Sequence, residues 1–291
     1  MIQEWNDEIR KKLLSSLFET NKFQYNRCLE PTHECKRKAV RAHSIQNSRI
    51  LDNMVVNDHV TAFTRRIDKE KGPIIDYCPV GRNQATTFTG LCSEHDNEFF
   101  SAIDDEDISL SNEQQLFLLA YRAVYREYHA SLEAASKIQS AYQELISMGL
   151  EPKDELSEKG VFATQRLIIA WLNYRYKTDF DIAYFGKSYT SIHHDSFVYE
   201  LDNPTIAVCA LFSVDHQKID GDYLRIALNV LPVTKKQTYV ILSYREKDST
   251  HARVTLDRVL NADSDHQKYE LSRFILNNCE NFVVCPTYFC S

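Results

Sequence analysis

Two short stretches of this 291-residue chain decide how its first third folds: RCLEPTHEC at residues 27–35 and GLCSEHDN at residues 90–97. The first stretch supplies the thiols of Cys28 and Cys35, and the second supplies Cys92 and His95. Because residues at i and i+3 lie on one face of a helical turn, Cys92 and His95 can reach one ion together. A closed Zn²⁺ site takes four thiolate or imidazole ligands, often as two pairs from separate elements. The sequence therefore predicts a structural zinc ion held by these four residues.

A predicted strand with a histidine lies between the two pairs, in AHSIQ at residues 42–46. The order Cys…Cys, strand histidine and Leu-Cys-x-x-His resembles the zinc-containing members of the HNH nuclease family over roughly residues 25–100. That family has a ββα-metal, or treble-clef, fold. The resemblance implies that the four metal-binding residues are structural ligands. It also implies that His43 activates water for phosphodiester cleavage and that Asp96 is a ligand of a second metal ion.

Two of these residue roles have alternatives. An imidazole with a pKa near neutrality suits the activation of water, but His43 is equally explained as a strand histidine hydrogen-bonded beneath a zinc loop. Asp96 suits a hard Mg²⁺ or Mn²⁺ that stabilises the leaving oxygen. It equally suits a carboxylate that orients a zinc-bound histidine or lies near a helix N-terminus.

His33 is an alternative to Cys35 as a zinc ligand, because residues 28–35 contain three metal-binding side chains. Cys35 is preferred because soft thiolates suit zinc and because the resemblance favours it.

The chain carries a net charge of −7, but residues 22–82 contain twelve Lys and Arg against seven Asp and Glu. Basic side chains near a water-activating histidine can bind the phosphates of nucleic acid without regard to sequence. The alternative is a solvated basic face. The predicted phosphate contacts are Lys36, Arg37, Lys38, Arg41 and Arg82, which Arg65 and Arg66 can join.

Composition indicates a folded protein, since 43% of the residues are hydrophobic and 11% aromatic, with seven Gly and seven Pro. The charged start lacks a signal-peptide core, and no run of about 18 apolar residues predicts a membrane span. Without secretion, the eight cysteines do not indicate a disulfide scaffold. We therefore expect a cytoplasmic protein. No Walker loop, dinucleotide-binding glycine motif or serine-hydrolase elbow is present.

Hydrophobic periodicity predicts an opening helix at residues 3–20 and a long helix from Ser111 to Met148. Ser111 and Gln114 have the form of a capping box, and Gly149 suits the C′ position. The stripe of this helix predicts core packing or an oligomer seam. Further predicted helices are a short one at 48–55 and those at 160–177, 250–261 and 264–278. Predicted strands are 38–45, 59–64, 196–201, 205–214, 223–230, 238–244 and 282–285.

These elements predict an α+β fold: an N-terminal treble-clef zinc module, a long central helix and a C-terminal domain with a mostly antiparallel sheet. The predicted domains are an HNH-like module at 1–108, a helical connector at 109–180 and an α+β domain at 181–291. We interpret His193-His194-Asp195, Asp215-His216 and Asp265-His266 as surface or loop groups. Buried free thiols are expected at Cys209, Cys279, Cys285 and Cys290.

The first functional hypothesis is an HNH-like metal-dependent endonuclease; the resemblance places such proteins in prokaryotic anti-phage defence. The alternative is a non-catalytic treble-clef protein that binds nucleic acid or a protein partner. The segment Thr86–Thr89, where the family has its middle asparagine, favours this alternative. A third hypothesis assigns the main activity to the C-terminal domain. Homo-oligomers through the long helix or that domain are also expected.

Overall fold

The computed structural model describes residues 24–68, 72–219 and 222–288. The predicted helix at 3–20 and Cys290 lie outside these residues, and the side chains of Arg65, Arg66, Asp215 and His216 are not described. The described strands are β1 (Ala42–His43), β2 (His59–Asp68), β3 (Gly72–Gly81), β4 (Thr87–Phe88), β5 (Ile192–Glu200), β6 (Ile206–Ile219), β7 (Asp222–Pro232), β8 (Gln237–Arg245) and β9 (Phe282–Val284). The described α-helices are α1 (Ser93–Asp104), α2 (Glu113–Ser147), α3 (Glu158–Phe185), α4 (Ser249–Leu260) and α5 (Ser264–Asn278).

The large sheet has seven strands in the order β3-β2-β9-β6-β7-β8-β5, and its paired neighbours are antiparallel. Strands β1 and β4 form a separate antiparallel pair, with Ala42 opposite Phe88 and His43 opposite Thr87. The predicted α+β class, the long helix and the antiparallel sheet are therefore confirmed. The hairpin of β2 and β3 joins the large sheet through β9, so one sheet takes strands from both ends of the described chain.

The two faces of the sheet pack against different helices, because successive side chains of a strand point to opposite faces. On β6, Ala207, Cys209 and Leu211 belong to a core shared with α1, α2 and α3. The alternate residues Val208 and Ala210 belong to a core shared with α4 and α5. The sheet is thus the middle layer, and the small β1–β4 pair with α1 lies on the α2 side.

The boundaries of the long helix differ slightly from those predicted. The N-cap is Asn112, whose side chain accepts a hydrogen bond from the backbone N–H of Gln115, so the predicted cap at Ser111 is wrong by one residue. Gly149 follows the helix with φ of +72°, which confirms its predicted place after the C-cap. Helix α3 extends eight residues beyond the predicted end at residue 177.

The segment 38–45 forms less strand than its alternating pattern predicts. Only Ala42 and His43 pair in a ladder. The N–H of Ala39 donates to Asn26 O at 2.7 Å and that of Val40 donates to Leu91 O at 2.7 Å. These amides fasten neighbouring loops instead of extending the strand.

Other local predictions also have clear outcomes. The predicted helix at 48–55 is a 3-10 turn at Leu51–Asn53, and the strand starting at His59 continues to Asp68. His193-His194-Asp195 lies half-buried on β5 rather than in a loop, whereas Asp265 and His266 are exposed. Cys209, Cys279 and Cys285 are buried free thiols, as predicted. Within the described ranges, no helix has both the length and the apolar character of a membrane span.

A buried ion pair within α3 contacts two tyrosines of α2 in the core. The Lys177 ammonium, with none of its side chain exposed, donates to both carboxylate oxygens of Asp181 at 2.9 and 3.0 Å. Tyr121 donates its hydroxyl to the same carboxylate at 2.5 Å, and the ammonium lies 4.5 Å from the ring centroid of Tyr125. Burial lowers the pKa of Lys177, and Asp181 opposes that shift by stabilising the charge.

Replacing Asp181 with Ala should lower the free energy of unfolding by about 3–5 kcal/mol, because the Lys177 charge then lies in the core without its counter-ion. Urea denaturation measures this change. Asp107→Ala is the matched control, since its carboxylate is fully exposed and pairs only with Arg49 at 3.3 Å. That control should cost no more than about 1 kcal/mol. Equal losses for the two variants would contradict the assignment.

Candidate metal centre

The first pair of thiols lies on a turn that a buried carboxylate holds. Glu30 accepts hydrogen bonds from the N–H of Thr32 at 2.7 Å and from the N–H of Cys35 at 2.8 Å. Burial alone would raise the pKa of Glu30, but these hydrogen bonds outweigh it and hold the pKa below its usual value. The turn closes where Arg27 and Lys38 form an antiparallel bridge.

The second pair lies at the start of α1. Cys92 is the N-cap residue in extended conformation, and His95 follows in the first helical turn. Backbone hydrogen bonds bring the two pairs together, from Leu29 N to Gly90 O at 2.9 Å and from Val40 N to Leu91 O at 2.7 Å. The β1–β4 pair therefore lies between a turn with two thiols and a helix that begins with two further metal-binding residues.

The four side chains converge on one point. The sulfur and imidazole nitrogen atoms of Cys28, Cys35, Cys92 and His95 all lie within 4.8 Å of one another, so the group can hold a metal ion. The sulfur atoms of Cys35 and Cys92 are 3.9 Å apart. His95 Nδ1 lies 3.4 Å from the sulfur of Cys28 and 3.3 Å from that of Cys92. A tetrahedral ion with metal–sulfur bonds of about 2.3 Å has sulfur atoms about 3.8 Å apart, close to the observed spacing.

The pKa values of the two buried thiols of the cluster are shifted in opposite directions. Burial raises the pKa of Cys28 to about 12, so a metal ion must displace its proton. The N–H of Cys92 points at the Cys28 sulfur at 3.3 Å and favours a thiolate there. Burial would also raise the pKa of Cys92, but hydrogen bonds led by the N–H of His95 lower it overall.

The side chain of His33, the predicted alternative to Cys35, lies against a tyrosine ring and not in the cluster. Its backbone has φ of +59°, and its ring centroid lies 5.7 Å from that of Tyr174 on α3. Among the described residues, the group of metal-binding atoms contains Cys35 and not His33.

His43 lies on β1, and a backbone carbonyl orients its ring. Its Nε2 lies 3.1 Å from the carbonyl oxygen of Arg82. Since a carbonyl oxygen only accepts hydrogen bonds, Nε2 carries the proton and Nδ1 of the neutral ring is a free base. Burial, assisted by the nearby Arg122 charge, holds the pKa of His43 below its usual value of 6.5.

Asp96 lies on α1 and is half-buried. Burial raises its pKa, and the charge of Arg122 opposes that shift. Arg122 itself forms a two-pronged ion pair with Asp104, with N–O distances of 2.8 and 2.6 Å. His43 and Asp96 therefore lie within electrostatic reach of the same buried ion pair.

Arg122 is the site residue that sequence reasoning missed. It interrupts the apolar run FLLAYRAV at 117–124, and its guanidinium lies 4.4 Å from the ring centroid of Phe100. An arginine inside an apolar helical stripe needs a buried partner, and that was the available signal. The sequence does not reveal that the partner is Asp104.

The predicted phosphate-binding residues have different surroundings. Lys36, Lys38 and Arg41 are exposed. Arg37 forms an ion pair with Glu94, and Arg82 forms ion pairs with Asp52 and Asp58.

The open groove beside the metal cluster is predominantly acidic. It has a volume of about 730 Å³, and its lining includes four glutamates against two basic residues: Glu30, Glu34, Glu94, Glu98, Lys36 and Arg37. The lining of this groove therefore does not favour the binding of an anion.

The purified protein should contain about one equivalent of bound metal per chain, measured by elemental mass spectrometry after exhaustive desalting. Cys92→Ser should reduce that content to below about a tenth, because the remaining side chains cannot close a tetrahedral shell. Cys279→Ser is the control, because Cys279 is a buried thiol that is not part of the cluster. This substitution should leave the metal content unchanged. Equal metal content in both variants would contradict the site.

Comparison of the chain with protein-family models, with curated proteins and with solved structures finds no match. Function therefore has to be argued from the geometry of the site. The relevant features are the Cys₃His cluster, the oriented imidazole of His43 and the half-buried side chain of Asp96.

Proposed function

We propose that residues 25–104 form a zinc-stabilised, HNH-like endonuclease module that cleaves nucleic acid phosphodiesters. Zinc suits the cluster because three thiols and one imidazole are the ligand set that tetrahedral structural zinc prefers. The succession of thiol turn, β1, β4 and α1 supports the resemblance to the ββα-metal family. A role in prokaryotic anti-phage defence belongs to the same proposal and comes from the resemblance.

The orientation of His43 carries the proposal. The hydrogen bond from Nε2 to the Arg82 carbonyl fixes the tautomer and leaves Nδ1 able to take a proton from water. The lowered pKa keeps this nitrogen unprotonated near neutral pH, as a general base requires. Arg82 thus supports the site through its carbonyl oxygen, while its guanidinium is already paired with carboxylates.

Asp96 is the residue that would hold a catalytic Mg²⁺ or Mn²⁺. Its pKa is set by burial and by nearby charges, without a hydrogen bond from a described residue, so its oxygen lone pairs fit a hard cation. Such an ion supplies positive charge that stabilises the departing oxygen. The charge of Arg122 favours the ionised form of Asp96 that such an ion would need.

The proposal predicts metal-dependent nicking of plasmid DNA or cleavage of RNA by the purified chain. His43→Ala should lower the rate by about 10²–10⁴-fold, since it removes the general base. His59→Ala is the matched control: this exposed histidine hydrogen-bonds to Asn57 O and should leave the rate unchanged. Both variants should retain the bound zinc. Equal cleavage by wild type and His43→Ala would refute the catalytic role.

The pH dependence of cleavage follows from the direction of the His43 pKa shift. A general base works in its neutral form, and the folded-state pKa lies below 6.5. The rate should therefore still exceed half its plateau value at pH 6.5 and fall to half only at a lower pH. Measuring kcat/KM against pH, with zinc content checked at each point, tests this. A half-maximal rate above pH 6.5 would contradict the assignment.

A second candidate function is a non-catalytic zinc module that binds nucleic acid or a protein partner. One observation favours it. Within the described ranges, three or more metal-binding side chains converge at the Cys₃His cluster but not around Asp96. Gel-shift measurements of the wild-type chain with labelled DNA and RNA, without Mg²⁺ or Mn²⁺, distinguish the two functions. Salt-sensitive binding without cleavage in either metal would favour this second function.

A further inference from the structure

Helix α3 is apolar on nearly all sides in its first half, yet only one side is covered by the described protein. Its sequence contains LIIAWL at residues 167–172, six consecutive apolar residues. Ala163 and Ala170 are buried, whereas Ile168 and Trp171 are exposed, Trp171 by 55%. A helix that is hydrophobic all round is normally enclosed by other structure, and such a run at a surface normally marks a contact.

The exposed residues follow a regular helical spacing. Val161, Thr164, Ile168, Trp171 and Arg175 are separated alternately by three and four residues, and all are exposed. This spacing places them in one line along the helix, as in the contact line of a coiled coil. Leu167 adds an exposed apolar side chain beside this line, whereas the exposed Phe162 and Ile169 lie further round the helix. Ile182 and Phe185 continue the exposed apolar surface to the end of the helix.

We propose that this face of α3 is the interface of a homodimer, in which α3 of one protomer packs antiparallel against α3 of its partner. The first argument is area. Seven exposed side chains lie on or beside this line, and at about half of roughly 160 Å² each they offer roughly 550 Å² per protomer: Val161, Thr164, Gln165, Leu167, Ile168, Trp171 and Arg175. Two protomers would bury roughly 1,100 Å², which is above the roughly 1,000 Å² that a specific interface needs.

The second argument is the symmetry of charge along the helix. Glu158 lies one turn before the apolar line and Arg175 lies at its far end. Antiparallel pairing about the middle of the line brings Glu158 of one protomer towards Arg175 of the other, and the reverse contact follows by two-fold symmetry. Parallel pairing would instead place like charges together. The α2–α3 hairpins of two protomers would then form a four-helix arrangement.

The test is the molar mass of the full chain in solution, measured by size-exclusion chromatography with light scattering. At about 10 μM, where a dimer of micromolar or tighter affinity is substantially assembled, the wild type should have twice the mass of one chain. Ile168→Glu and Trp171→Glu should have the mass of one chain, with unchanged circular dichroism and zinc content. Val254→Glu, on α4 and 69% exposed, is the matched control and should stay dimeric.

A less disruptive substitution distinguishes loss of the dimer from misfolding of the chain. Ile168→Gln keeps the size of the side chain without adding charge and should raise the dimer dissociation constant at least about tenfold, a change that sedimentation equilibrium measures. A wild type with the mass of one chain would overturn the proposal. A dimer that folded Ile168→Glu and Trp171→Glu leave intact would also overturn it.

Discussion

The convergence of Cys28, Cys35, Cys92 and His95 is the constraint on which the N-terminal part of the molecule depends. The ligating atoms come from positions up to 67 residues apart, yet all lie within 4.8 Å of one another. Bringing such distant segments together costs chain entropy, and burial of three small thiol side chains, one of them only partly buried, returns little hydrophobic free energy. A shared ion explains the arrangement, because its bonds fasten the thiol turn to α1 directly.

This cluster positions the residues proposed for catalysis, and the large sheet supports them from behind. His43 lies on the strand between the two ligand pairs, and its neighbour Ser44 donates to Thr86 O at 2.8 Å. Asn281, just before β9, donates to Ser44 Oγ at 2.9 Å and to Cys209 O at 2.6 Å. The segment that follows His43 is therefore tied to β6 of the large sheet. Metal cluster and sheet together restrict the orientation of the imidazole.

Local spacing and periodicity predicted much of this structure. The i, i+3 spacing of Cys92 and His95 indicated a shared ligand face, and alternation indicated strands β5 to β8. Contacts between residues far apart in the chain left no comparable pattern in the sequence. Nothing local indicates that the β2–β3 hairpin pairs with β9, more than two hundred residues away. The predicted end at residue 177 was too early because Lys177 and Asp181 pair with each other in the core, which allows polar side chains there as α3 continues.

The site shows the same division between local and distant information. The grouping of the four metal-binding side chains was predictable because it depends on residue type and short spacing, and the catalytic role of His43 stays a prediction. The roles of the Arg82 carbonyl and the Arg122–Asp104 pair depend on tertiary contacts between β1, α1 and α2. The sequence did not reveal that one face of α3 is exposed, because an apolar run is equally typical of a buried helix.

X-ray absorption spectroscopy at the zinc edge tests the shared ion most directly, because it reports the identity and distance of the coordinating atoms. For the purified chain we expect three sulfur atoms at about 2.3 Å and one nitrogen at about 2.0 Å from the ion. A chain without zinc, or a shell of oxygen and nitrogen atoms alone, would contradict it.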